Sequence, residues 1–385
     1  RIELVRTYRG VRYYNDSIAS SPSRTIAGLR SFKEKVILIA GGYDKHIPFD
    51  VLGPEVTSHV KLLVLCGATA GKIRAAVEAA PDYRPGHPEI MEVSPFRAAV
   101  EAGKNVVTSN KALVCTFYDE LLPLVKEKGV LFRCTAAVGG GIGWLSELER
   151  ARRVQSIREV GGIMNGTCNY ILTRMERDKL DFDTALKQAQ KLGYAERDPS
   201  ADIEGKDTCR KISILASLAY GKTVPTEKIL CEGISDITYN DLVYARENGF
   251  AIKLLGRAKK CADGRISVLT APHLVPDDNS LAGVNDVYNG ISVVGNIVGD
   301  VLFCGRGAGS LPTASAVVAD VLDVIDNCKV RASWKDADNT DFIRDVSEDV
   351  TSSYIRTNSS KESIGKAFGS VDITEKNGEK MFITP

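Results

Sequence analysis

Residues 35–42 read Lys-Val-Ile-Leu-Ile-Ala-Gly-Gly, a short apolar run that ends in two glycines. Residues 60–67 repeat the pattern as Val-Lys-Leu-Leu-Val-Leu-Cys-Gly. Continuous apolar runs of this length are typical of parallel strands that are covered on both faces. Helical stretches lie between and after the two runs, including residues 70–80. This alternation predicts that the first hundred residues form a small doubly wound α/β unit.

Beyond this unit the pattern first continues and then changes. Strands are predicted at residues 104–108 and 130–134, with a helix over residues 118–128 that ends at Gly129. Three glycines at residues 139–141 follow, in a loop where the backbone must approach another group closely. From about residue 145 the pattern is that of an α+β domain.

The later part mixes helices and strands of ordinary length. The predicted elements are a helix that carries Phe182, Leu186 and Ala189 and ends at Gly193, helices at 206–220 and 241–259, a strand, a Gly-rich turn and a long helix within 301–326, a strand at 353–357, a helix at 361–368 and a strand at 381–384. The predicted fold class is therefore α/β, with a Rossmann-like parallel-sheet unit followed by an α+β domain.

Composition excludes several classes of partner. The 385 residues, 44% hydrophobic and 26% charged, predict two or three globular domains. A net charge of +1 with interspersed acids and bases excludes nucleic acid and anionic membranes as expected partners. We expect no membrane span and no signal peptide, and because the chain begins with Arg1 we expect a fragment or a trimmed product.

The cysteines and histidines favour a reducing compartment without a bound transition metal. Nine scattered cysteines with no CxxC pair predict reduced thiols in a cytoplasmic protein. The four histidines are also dispersed, so a transition-metal site is not expected.

The segment richest in chemistry is residues 193–211, GYAERDPSADIEGKDTCRK. Its five acids are Glu196, Asp198, Asp202, Glu204 and Asp207. Asp207 and Lys211 are one helical turn apart, so they share a face. Acids there can bind an ammonium and a hydroxyl, and the lysine can transfer a proton if burial lowers its pKa. The alternative is a solvated surface loop with an ordinary ion pair between residues four apart.

Three shorter segments are each weak evidence. Residues 106–111, VVTSNK, place a lysine after a strand end, where open α/β sheets bind ligands, although a surface lysine explains it too. Residues 165–170, NGTCNY, resemble a capped helix start. Residues 305–309, GRGAG, precede a helix that begins near Pro312 and can receive a phosphate or a cofactor ring, although most such turns are simply turns.

Taken together, these segments resemble homoserine dehydrogenases across residues 98–328. The matching motifs are VVTSNKAL, AAVGGGI, NGTCNYIL, GYAERDPSADIEGKD and GRGAG followed by PTASAVVAD. The resemblance implies interconversion of L-homoserine and L-aspartate 4-semialdehyde with NADP or NAD, in threonine and methionine biosynthesis. It also implies a homodimer.

The resemblance also assigns roles to individual residues. Lys211 matches the proton-transfer lysine, and Lys111 matches a lysine near the nicotinamide and the substrate; with Asp207 they form the implied catalytic set. The implied substrate-binding residues are Tyr194, Glu196, Asp202 and Asp207, and the implied cofactor-binding residues are Ser109, Asn110, Lys111 and Gly307.

The glycine loop resembles a cation site of the same family. Carbonyls of Val138, Gly140 and Ile142 would hold a monovalent cation such as sodium. The sequence departs from the family pattern at two positions, with Thr135 where Glu is common and Gly143 where Pro is usual.

The first hundred residues lack the GxGxxG fingerprint of a dinucleotide domain. Residues 9–97 instead resemble the C-terminal domain of UDP-N-acetylmuramoylalanine–D-glutamate ligase, through GVRYYNDSIASSPSRTIAGL and ILIAGGYDKHIPFD. In that family Asn15, Asp16 and Ser17 line the site where amino acid and nucleotide meet, while Ile18 stands where many members carry Lys. The ligase's P-loop domain has no counterpart in the chain.

The resemblances divide the chain into five parts. These are a Mur-ligase-like domain (1–97), the end of a Rossmann-like domain (98–144), a substrate and dimerisation domain (145–300), a Gly-rich turn and returning helix (301–331) and a shortened ACT-like extension (332–385). A chain that joins these resemblances is a natural fusion, a recombinant chimera or an assembly artefact. A Mur-type D-glutamate ligase and a catalytically silent chimera are the alternatives to a dehydrogenase.

Overall fold

The computed structural model describes residues 2–16, 21–42, 44, 47–93, 95–328 and 339–385. It contains two compact units, Arg1–Lys104 and Asn105–Pro385. Ser17 and Ile18 lie outside the described residues, as does the beginning of the C-terminal extension at 329–338.

The first unit is a small parallel α/β structure preceded by a hairpin. Its elements are β1 (Glu3–Tyr8), β2 (Val11–Asn15), α1 (Pro22–Leu29), β3 (Val36–Gly41), α2 (Gly53–His59), β4 (Val60–Cys66), α3 (Ala70–Glu78), β5 (Glu89–Glu92) and α4 (Pro95–Glu101). Strands β3, β4 and β5 are adjacent and parallel in that order. The two apolar runs and the helix after them are therefore confirmed as βαβ structure.

One face of this sheet departs from the prediction. Leu63 and Leu65 of β4 are buried among residues of the surrounding helices, such as Val56 and Val77. On β3, however, Ile37 and Ile39 are 52% and 71% exposed. The expectation that both strands are covered on both faces is wrong for β3, because its side chains alternate between a helix-covered face and an exposed one.

The second unit begins with a strand-helix-strand segment and continues into a larger sheet. Its elements up to the sheet's end are β6 (Val106–Val107), α5 (Lys111–Lys128), β7 (Phe132–Arg133), α6 (Trp144–Val154), β8 (Ile157–Ile163), α7 (Gly166–Asp178), α8 (Phe182–Lys191), α9 (Ser200–Ile203), α10 (Lys206–Tyr220), β9 (Leu230–Cys231), α11 (Tyr239–Glu247), β10 (Phe250–Lys260), β11 (Ile266–Pro276), β12 (Tyr288–Gly295) and β13 (Asp300–Arg306). β6 and β7 pair in parallel.

The larger sheet has six strands in the order β13-β12-β8-β10-β11-β9. All neighbours are antiparallel except β11 and β9, which pair in parallel. A core formed by α7, α8 and α11 packs on β10 through Ile252 and Leu254. On α10, Ile212 lies against Gly256 of the same strand, where a Cβ would approach within 2.9 Å. β10 is thus buried by the helices α7, α8, α10 and α11.

Helix α10 has the predicted bounds, but the predicted helix at 241–259 is wrong. The chain forms α11 up to Glu247 and then the strand β10. Gly249, with a φ of +81°, redirects the backbone after α11. The apolar residues that follow pair between β8 and β11, so tertiary pairing overrides their helix-compatible spacing.

The chain ends in a helix and a small antiparallel sheet. The elements are α12 (Ser310–Ile325), β14 (Tyr354–Thr357), α13 (Lys361–Phe368), β15 (Thr374–Lys376) and β16 (Glu379–Ile383), with the strand order β14-β16-β15. The predicted strand, helix and strand are confirmed, and β15 is an additional strand. The Tyr354 hydroxyl of β14 donates a hydrogen bond to the buried carboxylate of Asp241 in α11, and this bond connects the small sheet to that helix. Among the described residues, every helix falls short of what a bilayer-spanning segment requires.

Candidate active site

Helix α10 begins at a left-handed glycine and places an acid and a lysine on one face. Gly205, with a φ of +80°, precedes the first turn. Asp207 and Lys211 lie one turn apart and are only 7% and 8% exposed. The distance from Lys211 Nζ to Asp207 Oδ2 is 2.7 Å. The alternative of a solvated surface pair is therefore wrong, because both charges are buried.

A second lysine reaches the same carboxylate from another helix. Lys111 is the first residue of α5, and its Nζ lies 2.6 Å from Asp207 Oδ1. The Lys111 side chain is 34% exposed, so this ion pair is open to solvent on the Lys111 side. Each oxygen of Asp207 thus accepts one ammonium, from elements far apart in sequence.

The junction between β8 and α7 completes the cluster. Lys211 Nζ donates to the main-chain oxygen of Met164 at 2.6 Å. The side-chain amide of Asn165 donates to Asp202 Oδ1 at 2.6 Å and to Asp207 Oδ2 at 3.0 Å. Neither Met164 nor Asn165 is among the predicted site residues. The NGTCNY motif was the only sequence signal for Asn165.

The pKa values of Asp207 and Asp202 are shifted in opposite directions. Burial alone would raise the pKa of Asp207, but the charges of Lys211 and Lys111 outweigh it and hold that pKa well below its usual range. Burial raises the pKa of Asp202, and the hydrogen bond from Asn165 offsets only part of this. Asp207 is therefore an anion at neutral pH, held between the side chains of Lys211 and Lys111.

Two predicted substrate residues lie on the segment before α9 and are more exposed. The ring of Tyr194 is 5.0 Å from that of Tyr170, and its main-chain oxygen accepts the Thr167 hydroxyl at 2.6 Å. Glu196 is exposed, and its main-chain oxygen accepts Gln190 Nε2 at 3.1 Å. Within the described residues, its carboxylate makes no hydrogen bond or ion pair with the Asp207 cluster.

The predicted cofactor residues Ser109 and Asn110 lie in the turn between β6 and α5. Asn110 accepts the Leu113 amide at 3.1 Å and so caps α5. Ser109 is exposed beside it, just after β6. The carboxyl end of a parallel strand is where open α/β sheets bind ligands.

Gly307 lies where a side chain has no room. A Cβ there would stand 2.6 Å from the Asn289 side chain, and a Cβ on Gly140 would stand 2.8 Å from the Gly307 oxygen. The Gly-rich turn therefore packs directly on the glycine loop. Beside them is an open groove of about 660 Å³, lined by Ile142, Arg306 and Pro312 among others.

The three residues of the predicted cation site lie in one compact loop. Val138 is fully buried, and Gly140 and Ile142 are the first and last residues of a 3₁₀ turn. Gly139, Gly140 and Gly143 all adopt positive φ. In the part of the chain described, no group of three or more His, Cys, Asp or Glu side chains is arranged to hold a metal ion.

Comparison with known proteins gives one consistent family. The family model for homoserine dehydrogenase matches residues 144–322. A homoserine dehydrogenase from Synechocystis sp. is 45% identical over 231 residues, which is 59% of this chain and 53% of that protein. The chain spans about half the length of the curated relatives it matches.

Solved structures extend the similarity beyond the family match. A homoserine dehydrogenase from Thiobacillus denitrificans aligns with a TM-score of 0.67 and 32% identity, over 85% of this chain and 75% of that one. A hyperthermophilic archaeal homoserine dehydrogenase mutant, solved in complex with NADPH, aligns with a TM-score of 0.54 and 26% identity, over 72% and 76% of the two chains. None of these findings supports the Mur-type ligase alternative. The predicted α/β fold is confirmed, and a solved homoserine dehydrogenase is 32% identical and is covered over 75% of its length. The chain therefore belongs to the homoserine dehydrogenase family.

Proposed function

We propose that this chain interconverts L-homoserine and L-aspartate 4-semialdehyde with NADP or NAD, a step of threonine and methionine biosynthesis. The observation that carries the proposal is the buried Asp207 carboxylate, which holds Lys211 on one oxygen and Lys111 on the other. A buried, ionised acid beside a buried lysine is an arrangement suited to proton transfer.

Lys211 is the proposed proton-transfer residue. Its Nζ uses one hydrogen bond on Asp207 and one on Met164, which leaves its third N–H for a substrate oxygen. When the semialdehyde is reduced, the Lys211 ammonium gives a proton to the aldehyde oxygen as that oxygen becomes a hydroxyl. In the oxidation of homoserine the neutral amine takes the hydroxyl proton back.

The acids bind the amino-acid part of the substrate. Glu196 and Asp202 are the proposed partners of the substrate ammonium, since ionised carboxylates are the usual acceptors for it. Asp207 stays ionised and orients both lysines, and Lys111 lies toward the solvent-open side, where it can meet the substrate and the cofactor. Tyr194 borders this part of the site.

We assign the nicotinamide end of the cofactor to residues of the second unit. Ser109, Asn110 and Lys111 lie at the carboxyl end of β6, and Gly307 offers backbone without a side chain beside an open groove. The nicotinamide supplies a hydride acceptor or donor when bound. The sequence lacks the GxGxxG fingerprint, so we assign no residues to the pyrophosphate.

The proposal includes a monovalent cation such as sodium at the carbonyls of Val138, Gly140 and Ile142. Three positive-φ glycines let this loop turn tightly, and main-chain oxygens are suitable ligands for such an ion. Turnover compared in sodium chloride and in choline chloride of equal ionic strength tests it. Equal rates in the two salts would remove the ion from the proposal.

We also propose that residues 145–300 form the substrate and dimerisation domain, and that the active form is a homodimer. Light scattering of the purified chain measures this directly. A mass corresponding to one copy at working concentration would contradict it.

The test of the function is the absorbance of reduced nicotinamide in a mixture of purified chain, L-homoserine and either NADP or NAD. We expect reduction that depends on homoserine and that is absent from Lys211→Ala. A folded sample that reduces neither cofactor would favour the catalytically silent chimera. ATP-dependent turnover of D-glutamate would favour the ligase.

A further inference from the structure

Asn165 is buried, and both polar atoms of its side chain form hydrogen bonds. Its Oδ1 accepts the Cys168 amide at 2.8 Å, which caps α7. Its Nδ2 donates to Asp202 and Asp207 at 2.6 and 3.0 Å. One amide therefore links the start of α7 to two acids from two further segments.

Only a side chain with both a donor group and an acceptor can do this. Asp202 and Asp207 are like charges that approach a common point, and each would favour protonation of the other. The Asn165 NH₂ group lies between them and gives one hydrogen to each without adding charge. Capping alone would be met equally well by Asp or Ser.

The same amide fixes the orientation of the Asp207 carboxylate. Asp207 Oδ2 accepts both Asn165 and Lys211, which leaves Oδ1 directed at Lys111. The preceding residue, Met164, holds the Lys211 ammonium through its carbonyl. Two consecutive residues of the β8–α7 junction thus hold both members of the proton-transfer pair.

We propose that Asn165 is a positioning residue for homoserine turnover, which keeps Asp202 and Asp207 ionised and aligned with Lys211. The inference rests on the proposed function for its substrate. The positioning itself can be measured without turnover.

Two substitutions separate positioning from capping. Asn165→Ser and Asn165→Asp both keep a favourable N-cap for α7, and neither can donate two N–H bonds. Since a hydrogen bond to a charged group contributes substantially, we expect kcat/KM for homoserine to fall about ten- to hundred-fold in each. The midpoint of thermal unfolding should fall less in Asn165→Ser, which keeps the cap without adding charge, than in Asn165→Asp, which buries a third carboxyl.

Asp181→Ala is the matched control. Asp181 caps α8 through the Thr184 amide at 2.8 Å, and among the described residues its carboxylate accepts hydrogen bonds from Thr184 and from none of the site residues. Losing this cap should lower the unfolding midpoint while kcat/KM stays at the parent value. A helix-start defect alone would therefore not reproduce the Asn165 result.

The pH profile adds a signature that a purely structural role would not give. Asn165→Asp places a third carboxyl beside Asp202 and Asp207, and its protonated form can donate one hydrogen bond. Its deficit relative to the parent should therefore shrink as the pH falls. The deficit of Asn165→Ser should not shrink in this way.

Carboxyl-carbon NMR titration of Asp202 in the full chain gives a readout free of turnover. The hydrogen bond from Asn165 lowers the pKa of Asp202, so Asn165→Ser should raise it. An unchanged Asp202 titration overturns the proposal, and so does a parent-level kcat/KM of Asn165→Ser in an active enzyme. If the parent does not oxidise homoserine, the proposed function fails, and the Asp202 titration alone decides whether Asn165 positions the acids.

Discussion

Asp207 and Lys211 face each other across one turn of α10, with 2.7 Å between Oδ2 and Nζ and almost no solvent exposure. A buried pair of this kind does little for stability by itself, because desolvation offsets the attraction. Its position in the middle of a buried polar cluster indicates a role in chemistry rather than in stability.

Lys211→Ala should abolish homoserine oxidation while the fold stays intact. General acid–base residues typically contribute about 10²- to 10⁴-fold, so kcat should fall by at least a hundredfold. The fold should survive because Asp207 still has Lys111 and Asn165 as partners. Circular dichroism and the nicotinamide assay measure the two effects.

The matched control for this substitution is Lys206→Ala on the same helix. Lys206 is exposed and pairs with Glu204. It should keep parent-level turnover, and parent-level turnover in Lys211→Ala itself would exclude the proton-transfer role.

Glu196→Gln should chiefly raise the KM for homoserine. The substitution removes a negative charge near the proposed ammonium position and keeps the side-chain shape, so kcat should change much less than KM. Steady-state kinetics with the cofactor saturating measure both constants. An unchanged KM would remove Glu196 from the site, and Glu204→Gln is a control with equal charge change on an exposed residue.

Asp207→Asn should destabilise the chain in a pH-dependent way. The folded-state pKa of Asp207 lies below its unfolded value, so its contribution is present above the unfolded pKa of about 4 and is lost as the pH falls toward the folded pKa. Urea unfolding should show a loss of about 3 kcal/mol at neutral pH, as for other broken buried pairs.

This difference between parent and Asp207→Asn should shrink below pH of about 4, since the unfolded parent then binds a proton at Asp207 that the folded parent does not yet bind. Asp183→Asn, on the exposed first turn of α8, should change little at any pH. A pH-independent difference for Asp207→Asn would contradict the assignment.

Gly307→Ala should weaken cofactor binding more than it weakens the fold. The new methyl group would stand 2.6 Å from the Asn289 side chain, so the Gly-rich turn must move. We expect the KM for NADP or NAD to rise about tenfold, by analogy with the cost of about 1–3 kcal/mol for overpacking.

Gly365→Ala is the control for that substitution. Gly365 lies within α13, and nothing is found within 4 Å of a Cβ added there. It should leave the cofactor KM unchanged and slightly stabilise the helix. An unchanged cofactor KM in Gly307→Ala would place the cofactor elsewhere.

The sequence alone determined the features that depend on local chemistry. Helix α10 runs over the predicted residues because left-handed glycines stand at both ends, at Gly205 and Gly221. Asp207 and Lys211 were placed on one face because four residues make about one turn. The strands β3 and β4 followed from uninterrupted apolar runs, and the motif order identified the family.

Only the tertiary structure decided which distant residues meet. Lys111 and Asn165 both reach Asp207, and no local pattern connects these positions. The segment after Gly249 is a strand because β8 and β11 supply its hydrogen bonds, although its apolar spacing suits a helix as well. Local spacing fixes the face of an element, whereas the neighbours that cover that face are set by packing and strand pairing across the chain.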